Sequence, residues 1–216
     1  MIKPTVQTTW GSGMKLYVTP TSPYARLALI VRMEKQLSDR VELIWTRTRK
    51  PKDPMLAINP SGRIPFLLLS NGTGYEDTDV IIPYLDSLVS PRQFGPPGGE
   101  AYWPFCRLQA MARSMLDGIS VWAREILRPI NERSPGAIEH ERQRASRMAD
   151  YFESIIRDST LTGNINAAQL ILFCALDVER RLPSLDWRSG HPKLVDWYAR
   201  MLDVQSISES LPPSGD

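Results

Sequence analysis

MKLYVTPTSPYARLALIV, the run over residues 14–31, reads as a strand, a turn and a helix in immediate succession. MKLYVT is rich in strand formers. In the PTSP turn, Ser22 is of the type that caps a helix and Pro23 suits the first helical turn. Tyr24, Leu27, Ala28 and Val31 then recur at i, i+3, i+4 and i+7, one face of a helix that Ser38-Asp39 is expected to close. Val41, Leu43 and Trp45 alternate as a second strand, which completes a β-α-β unit. Upstream, residues 1–13 are polar and unpatterned and read as a loose tail. Downstream, a polar, proline-bearing connection leads into a strand over 64–69. SNGTG, residues 70–74, is a hairpin signal, and Tyr75-Glu76 begins the return strand. Asp77 or Thr78 then caps a helix with Ile81, Tyr84, Leu85 and Leu88 on one side. Pro83 conflicts with that helix, because it removes a backbone N–H a turn inside.

The composition changes abruptly at SPRQFGPPGGE, residues 90–100, which marks a linker. Everything beyond is helical in pattern. Leu108, Met111, Ala112, Met115, Ile119, Trp122 and Ile126 step by three and four through a helix ended by Pro129. A second is expected over 137–158, and a third from Asn166 with Gln169 completing a capping box. The last opens at Pro192 and turns Leu194, Trp197, Tyr198 and Met201 inward. Trp103, Met115 and Trp122 are taken as core. The domain plan is a tail over 1–13, an α/β domain over 14–89, a linker over 90–100 and an all-α domain over 101–216.

With 216 residues the chain can bury a real core, and 26 basic against 24 acidic side chains force no polyanionic partner. Seven arginines and seven acids between residues 124 and 158 cancel, so they read as a solvated, ion-paired face. The basic run Arg47, Arg49, Lys50 and Lys52 lacks interleaved aromatics, and no nucleic-acid partner is expected. The longest apolar stretch, residues 170–176, is far short of the ~20 residues that span a bilayer. Residues 1–13 hold no apolar signal segment, and Cys106 and Cys174 suit a reducing compartment, so a cytoplasmic protein without a membrane partner is expected. His140 and His191, the only histidines, argue against a metal site.

Ser22-Pro23-Tyr24 after the first strand, Ile64-Pro65 before the third and Asp77-Thr78 before the next helix resemble the glutathione S-transferase superfamily. The likeness is nearest to its small bacterial YibF-like type. It extends from residue 14 to the end through YVTPTSPYARLAL, NPSGRIPFLLL, YEDTDVIIPYLD, DGISVWAREILRP and SLDWRSGHPKLVDWYARM. It implies a thioredoxin-like α/β domain followed by an all-α helical bundle, a cis Ile64-Pro65 bond, a homodimer and glutathione as co-substrate with no metal. The implied reaction conjugates reduced glutathione to a small electrophile.

Carried over position by position, the resemblance makes Ser22 the catalytic residue and adds Tyr24, Arg63, Ile64, Pro65, Asp77 and Thr78 as glutathione-binding residues. The chemistry fits those types. A residue before a cis proline is held extended, so Ile64 can pair with the cysteinyl backbone like an added strand. Asp77 and Thr78, with the free N–H groups of the helix they open, suit the ammonium and carboxylate of the γ-glutamyl end. Arg63, helped by the 47–52 run, suits the glycyl carboxylate. A free thiol titrates at about 8.5, and lowering it by roughly two units needs about 2.7 kcal/mol of preferential thiolate stabilisation. The Ser22 hydroxyl and the helix end can provide it, with Thr19 and Thr21 in reserve.

Two departures from the family matter. SPYA contains no thiol where cysteine-type relatives have one, which argues against disulfide exchange through the protein. Arg113-Ser114 stands where the YibF-like type tends to have Asp-Gly, so substrate preference does not carry across. The alternatives are a non-catalytic glutathione- or ligand-binding relative and a glutathione-dependent peroxidase or reductase.

Overall fold

The computed structural model describes residues 13–47 and 53–212, so residues 1–12 of the expected tail lie outside it, as do Arg49, Lys50 and Lys52. The chain divides between Leu85 and Asp86 into two compact units.

The first unit holds a four-stranded mixed sheet in the order β2-β1-β3-β4. β1 (Met14–Val18) runs parallel to β2 (Val41–Trp45), from Met14↔Val41 to Val18↔Trp45. β3 (Phe66–Leu68) lies antiparallel to β1 and to β4 (Gly74–Glu76). The β3–β4 hairpin turns at Gly72, whose φ of 86° suits glycine, and Asn71 Oδ1 accepts the Thr73 N–H at 2.9 Å. Leu16, Val18, Leu27, Ala28, Val31, Phe66, Leu67 and Ile81 are buried and form this unit's core. β2 is an edge strand, and its alternation fades toward Trp45, which is 57% exposed.

α1 (Pro23–Glu34) ends four residues before the expected Ser38-Asp39. The Leu37 N–H donates to Arg32 O at 2.9 Å and the Gln36 N–H to Met33 O at 2.9 Å, around Gln36 at φ 50°. That is a Schellman closure with glutamine where glycine usually signals it, and buried Leu37 completes it. α2 (Thr78–Ser87) runs unbroken through Pro83, which stands on its exposed side.

In the second unit, the buried Asp86 carboxylate accepts the N–H groups of Gln93 and Phe94 at 3.0 Å and of Gly95 at 3.3 Å. A second cis bond, Ser90-Pro91, lies just before this segment. α3 (Tyr102–Ile126) buries Leu108, Ala112, Met115, Ile119 and Trp122 as its spacing requires. Trp103 does not join them and is 75% exposed. It precedes Leu108 by five residues, which places it about 140° round the helix from the buried stripe. Arg133 closes the C-terminal end of α3, donating to Ile126 O at 2.6 Å and Arg128 O at 3.0 Å.

α4 (Pro135–Ile155) starts two residues earlier than expected because Ser134 caps it, accepting the Ala137 N–H at 3.3 Å. Glu139 and Arg142 pair on its surface as anticipated, and Arg142 and Gln143 hold the Glu139 carboxyl at about 2, but Glu141 is buried and meets Arg144 at 3.3 Å. A short helix, α5 (Ser159–Thr162), was not foreseen. In α6 (Ala167–Asp177), which is buried throughout, Asn166 accepts the Gln169 N–H at 3.1 Å. Gln169 does not complete a capping box. Its side chain donates instead to Thr160 O at 3.0 Å and Gly163 O at 3.2 Å, tying α5 to α6.

α7 (Pro192–Leu202) buries Leu194, Trp197, Tyr198 and Met201, and a last short helix, α8 (Gln205–Glu209), follows. His191 opens α7 and is buried, its ring nitrogens 2.9 Å from Trp187 O and 2.9 Å from Asp150 Oδ1. Glu153 of α4 accepts the N–H groups of Lys193 at 3.2 Å and Leu194 at 2.8 Å, satisfying two donors of that helix start.

The Tyr198 hydroxyl donates to buried Asp177, which also accepts from Arg180 Nε at 2.7 Å. Burial first, and then that bond, push Tyr198 from 10.0 up to about 12. A tyrosine raised in the folded state contributes stability that is complete below its unfolded value and is lost as pH rises through the folded one. The stability advantage of the wild type over Tyr198→Phe is therefore expected to shrink as pH rises from 10 to 12. Urea titrations of both proteins across that range measure it, and a constant difference would refute this role for the Asp177 bond.

Candidate functional site

The register places three of the singled-out segments at one end of the sheet. Phe66 pairs with Tyr17 on one side and Glu76 on the other. The turn after β1, the residues before β3 and the residues after β4 therefore all emerge at the same end. Those segments carry Ser22, then Arg63, Ile64 and Pro65, and then Asp77 and Thr78.

Ser22 is the N-cap of α1, with φ −79° and ψ 118°. Its Oγ accepts the Ala25 N–H at 3.1 Å. That bond uses an oxygen lone pair and leaves the hydroxyl proton available to donate. Thr19 is half-buried and Thr21 exposed on the same turn. Tyr24 is half-buried and shares the α1 stripe of buried Leu27, Ala28 and Val31.

The Ile64-Pro65 bond is cis. Pro65 is buried, Ile64 half-buried and Arg63 exposed. Ile64 lies outside the strand ladder, whose pairing of β1 with β3 stops at Tyr17↔Phe66.

Asp77 has a φ of 70°, a conformation that aspartate tolerates better than most residues. Its Oδ1 accepts the Asp79 N–H at 3.0 Å, while its carbonyl accepts those of Val80 at 3.1 Å and Ile81 at 2.9 Å. Asp77 is thus the cap, and Thr78, 1% exposed, is the first residue of α2. Arg47 is exposed at the end of β2; the rest of its basic run lies outside the described residues.

Three residues of this end were not singled out from the sequence: Asn59, Ser61 and Glu76. Ser61 Oγ donates toward Asn59 Oδ1 at 2.9 Å and toward Glu76 Oε2. The signal for the first two was the Asn-Pro-Ser-Gly turn, which enters the family resemblance without a role for its side chains; nothing local marks Glu76. Among the described residues no group of three or more His, Cys, Asp and Glu side chains could hold a metal ion. Cys106 and Cys174 are free thiols within α3 and α6, outside these three segments. No helix among the described residues is long and apolar enough to cross a membrane.

Comparison with known proteins identifies the family. The glutathione S-transferase N-terminal domain matches residues 21–88 and the glutathione S-transferase C-terminal domain matches residues 135–200. Over 205 residues the chain is 27% identical to the uncharacterized GST-like protein YibF of Escherichia coli K12, covering 93% of this chain and 99% of YibF. A crystal structure of a glutathione transferase family member from Pseudomonas fluorescens Pf-5 with bound glutathione superposes with a TM-score of 0.86. It is 28% identical and covers 93% of this chain and 100% of its own. Another from that organism, with bound S-(propanoic acid)-glutathione, gives a TM-score of 0.83 at 29% identity and the same coverage of both chains. With both domains matched in order along a chain of this architecture, the protein belongs to the glutathione S-transferase family.

Proposed function

We propose that the protein transfers reduced glutathione to small electrophiles, with Ser22 stabilising the thiolate. The observation that carries this reading is the convergence of a capped helix start, a cis Ile64-Pro65 bond and a second capped helix start at one sheet end. It is supported by the relatives at 28% and 29% identity, which hold glutathione and a glutathione conjugate. Glutathione offers each segment a different group. Ile64 pairs with the cysteinyl backbone. The Asp77 carboxylate meets the γ-glutamyl ammonium and the Thr78 hydroxyl meets its carboxylate, since the Asp79, Val80 and Ile81 N–H groups are already taken by Asp77. Arg63 takes the glycyl carboxylate, and Pro65 and Tyr24 shape the floor.

The thiol proton leaves to solvent and the Ser22 O–H donates to the sulfur anion. The sulfur then forms a bond to the electrophilic carbon as the leaving group departs with its electron pair. Holding both reactants in line supplies the remaining acceleration, without a metal or a covalent intermediate on the protein. The family resemblance supports a cytoplasmic homodimer as the working form.

Calorimetry with reduced glutathione tests the reading directly. Cysteinylglycine lacks the γ-glutamyl carboxylate and ammonium and is expected to bind at least about tenfold more weakly than glutathione, since charge-assisted bonds of this kind contribute about 1.5–3 kcal/mol. Absence of heat with glutathione, or equal affinity for the dipeptide, would overturn it.

A further inference from the structure

Asn59 is 1% exposed in a loop, where a side-chain amide must find partners within the protein. Its Nδ2 donates to the Arg63 carbonyl at 2.8 Å, and its Oδ1 faces Ser61 Oγ at 2.9 Å. Its own carbonyl accepts the Gly62 N–H at 3.0 Å, closing the Asn-Pro-Ser-Gly turn. Gly62 is required there: its φ is 64°, and a Cβ would lie 3.1 Å from Leu56 Cδ2. Ser61 Oγ in turn accepts the Arg63 N–H at 3.1 Å. Both backbone groups of Arg63 are thereby tied to side chains of one turn.

The consequence falls on the next peptide unit. The Arg63–Ile64 bond is not among the cis bonds, and in a planar trans peptide the C=O and N–H point in opposite directions. With the Arg63 C=O held toward Asn59, the Ile64 N–H is held away from it. Ser61 extends the same arrangement to β4, because its hydroxyl also engages the Glu76 carboxylate, immediately before the Asp77 cap.

We propose that Asn59 is a positioning residue for glutathione: it aims the Ile64 N–H at the cysteinyl backbone, and Ser61 with Glu76 ties that grip to the Asp77–Thr78 grip on the γ-glutamyl end. This assignment rests on the glutathione reading above. Neither Asn59 nor Ser61 touches the sulfur, so they govern how well glutathione is seated and not how acidic its thiol becomes.

The experiment measures glutathione affinity by calorimetry, and KM for glutathione and kcat with 1-chloro-2,4-dinitrobenzene, for wild type, Asn59→Ala, Ser61→Ala and Ser61→Thr. Asn59→Ala is expected to raise Kd and KM for glutathione about tenfold, the weight of one buried bond lost with its partner left unpaired. Its kcat at saturating glutathione is expected to stay within about twofold of wild type, as for an interaction made equally in ground and transition states. Ser61→Ala is expected to weaken binding about threefold, in line with a net ~0.6 kcal/mol for a more exposed bond, and Ser61→Thr to restore it. A merely structural role would lower kcat with the folded fraction and leave KM unmoved, and that result overturns the proposal. So does wild-type affinity in folded Asn59→Ala. Should Asn59→Ala fail to fold, the exposed Ser61 pair decides: equal affinity of its alanine and threonine forms refutes the latch. A wild type that gives no heat with glutathione overturns the underlying reading and this assignment with it, an outcome distinct from the variant results.

Discussion

Replacing Ser22 with alanine is expected to lower kcat for conjugation by about tenfold to a hundredfold at neutral pH. The bound thiol is expected to titrate close to its free value of about 8.5. The proposed thiolate needs roughly two units of stabilisation, and the Ser22 hydroxyl is the donor proposed for it; the end of α1 contributes only about 0.3–1 kcal/mol. Alanine also removes the cap on α1, which costs about 1 kcal/mol of stability. Ser22→Gly separates the two effects, because glycine retains most of the capping preference and none of the hydroxyl. Thiolate absorbance of the bound complex followed against pH, together with kcat, measures the result. If both Ser22→Gly and Ser22→Ala keep the wild-type thiol titration and turnover, Ser22 is a cap and nothing more.

The second large effect lies in stability. Asp86→Ala is expected to destabilise the fold by about 3 kcal/mol, since three N–H groups of consecutive residues lose a charged acceptor in a buried setting. For a chain of this size that corresponds to a fall in Tm of about 6–12 °C. Asp86→Asn keeps one acceptor oxygen and is expected to fall between. Thermal unfolding followed by tryptophan fluorescence checks the order. Equal melting of wild type and alanine variant would mean that the Gln93–Gly95 segment is held by other contacts.

Much of the site's placement was legible because it is written in local interactions. Ser22 reaches Ala25 three residues on, Asn71 reaches Thr73, and Asp77 reaches Asp79, all within one turn of backbone. Such bonds depend on residue type and spacing alone, so the first helix, the hairpin and the start of α2 could be anticipated from the chain. The early end of α1 was missed because Gln36 occupies a left-handed position usually advertised by glycine. Trp103 was placed inside because hydrophobicity was weighed without its angle around the helix.

The remaining decisions needed distant partners. Gln169 abandons the capping box because Thr160 and Gly163 offer carbonyls across a short helix that no periodicity revealed. Ser61 meets Glu76 fifteen residues away, and Tyr198 meets Asp177 at a separation of twenty-one. Residue order by itself therefore determined the start of α1, the β3–β4 hairpin, the start of α2 and the family's two-part plan. Only the folded chain decided that Asn59 orients the peptide before Ile64 and that Asp86 gathers three N–H groups, because a buried polar group takes whichever partner the packing leaves beside it.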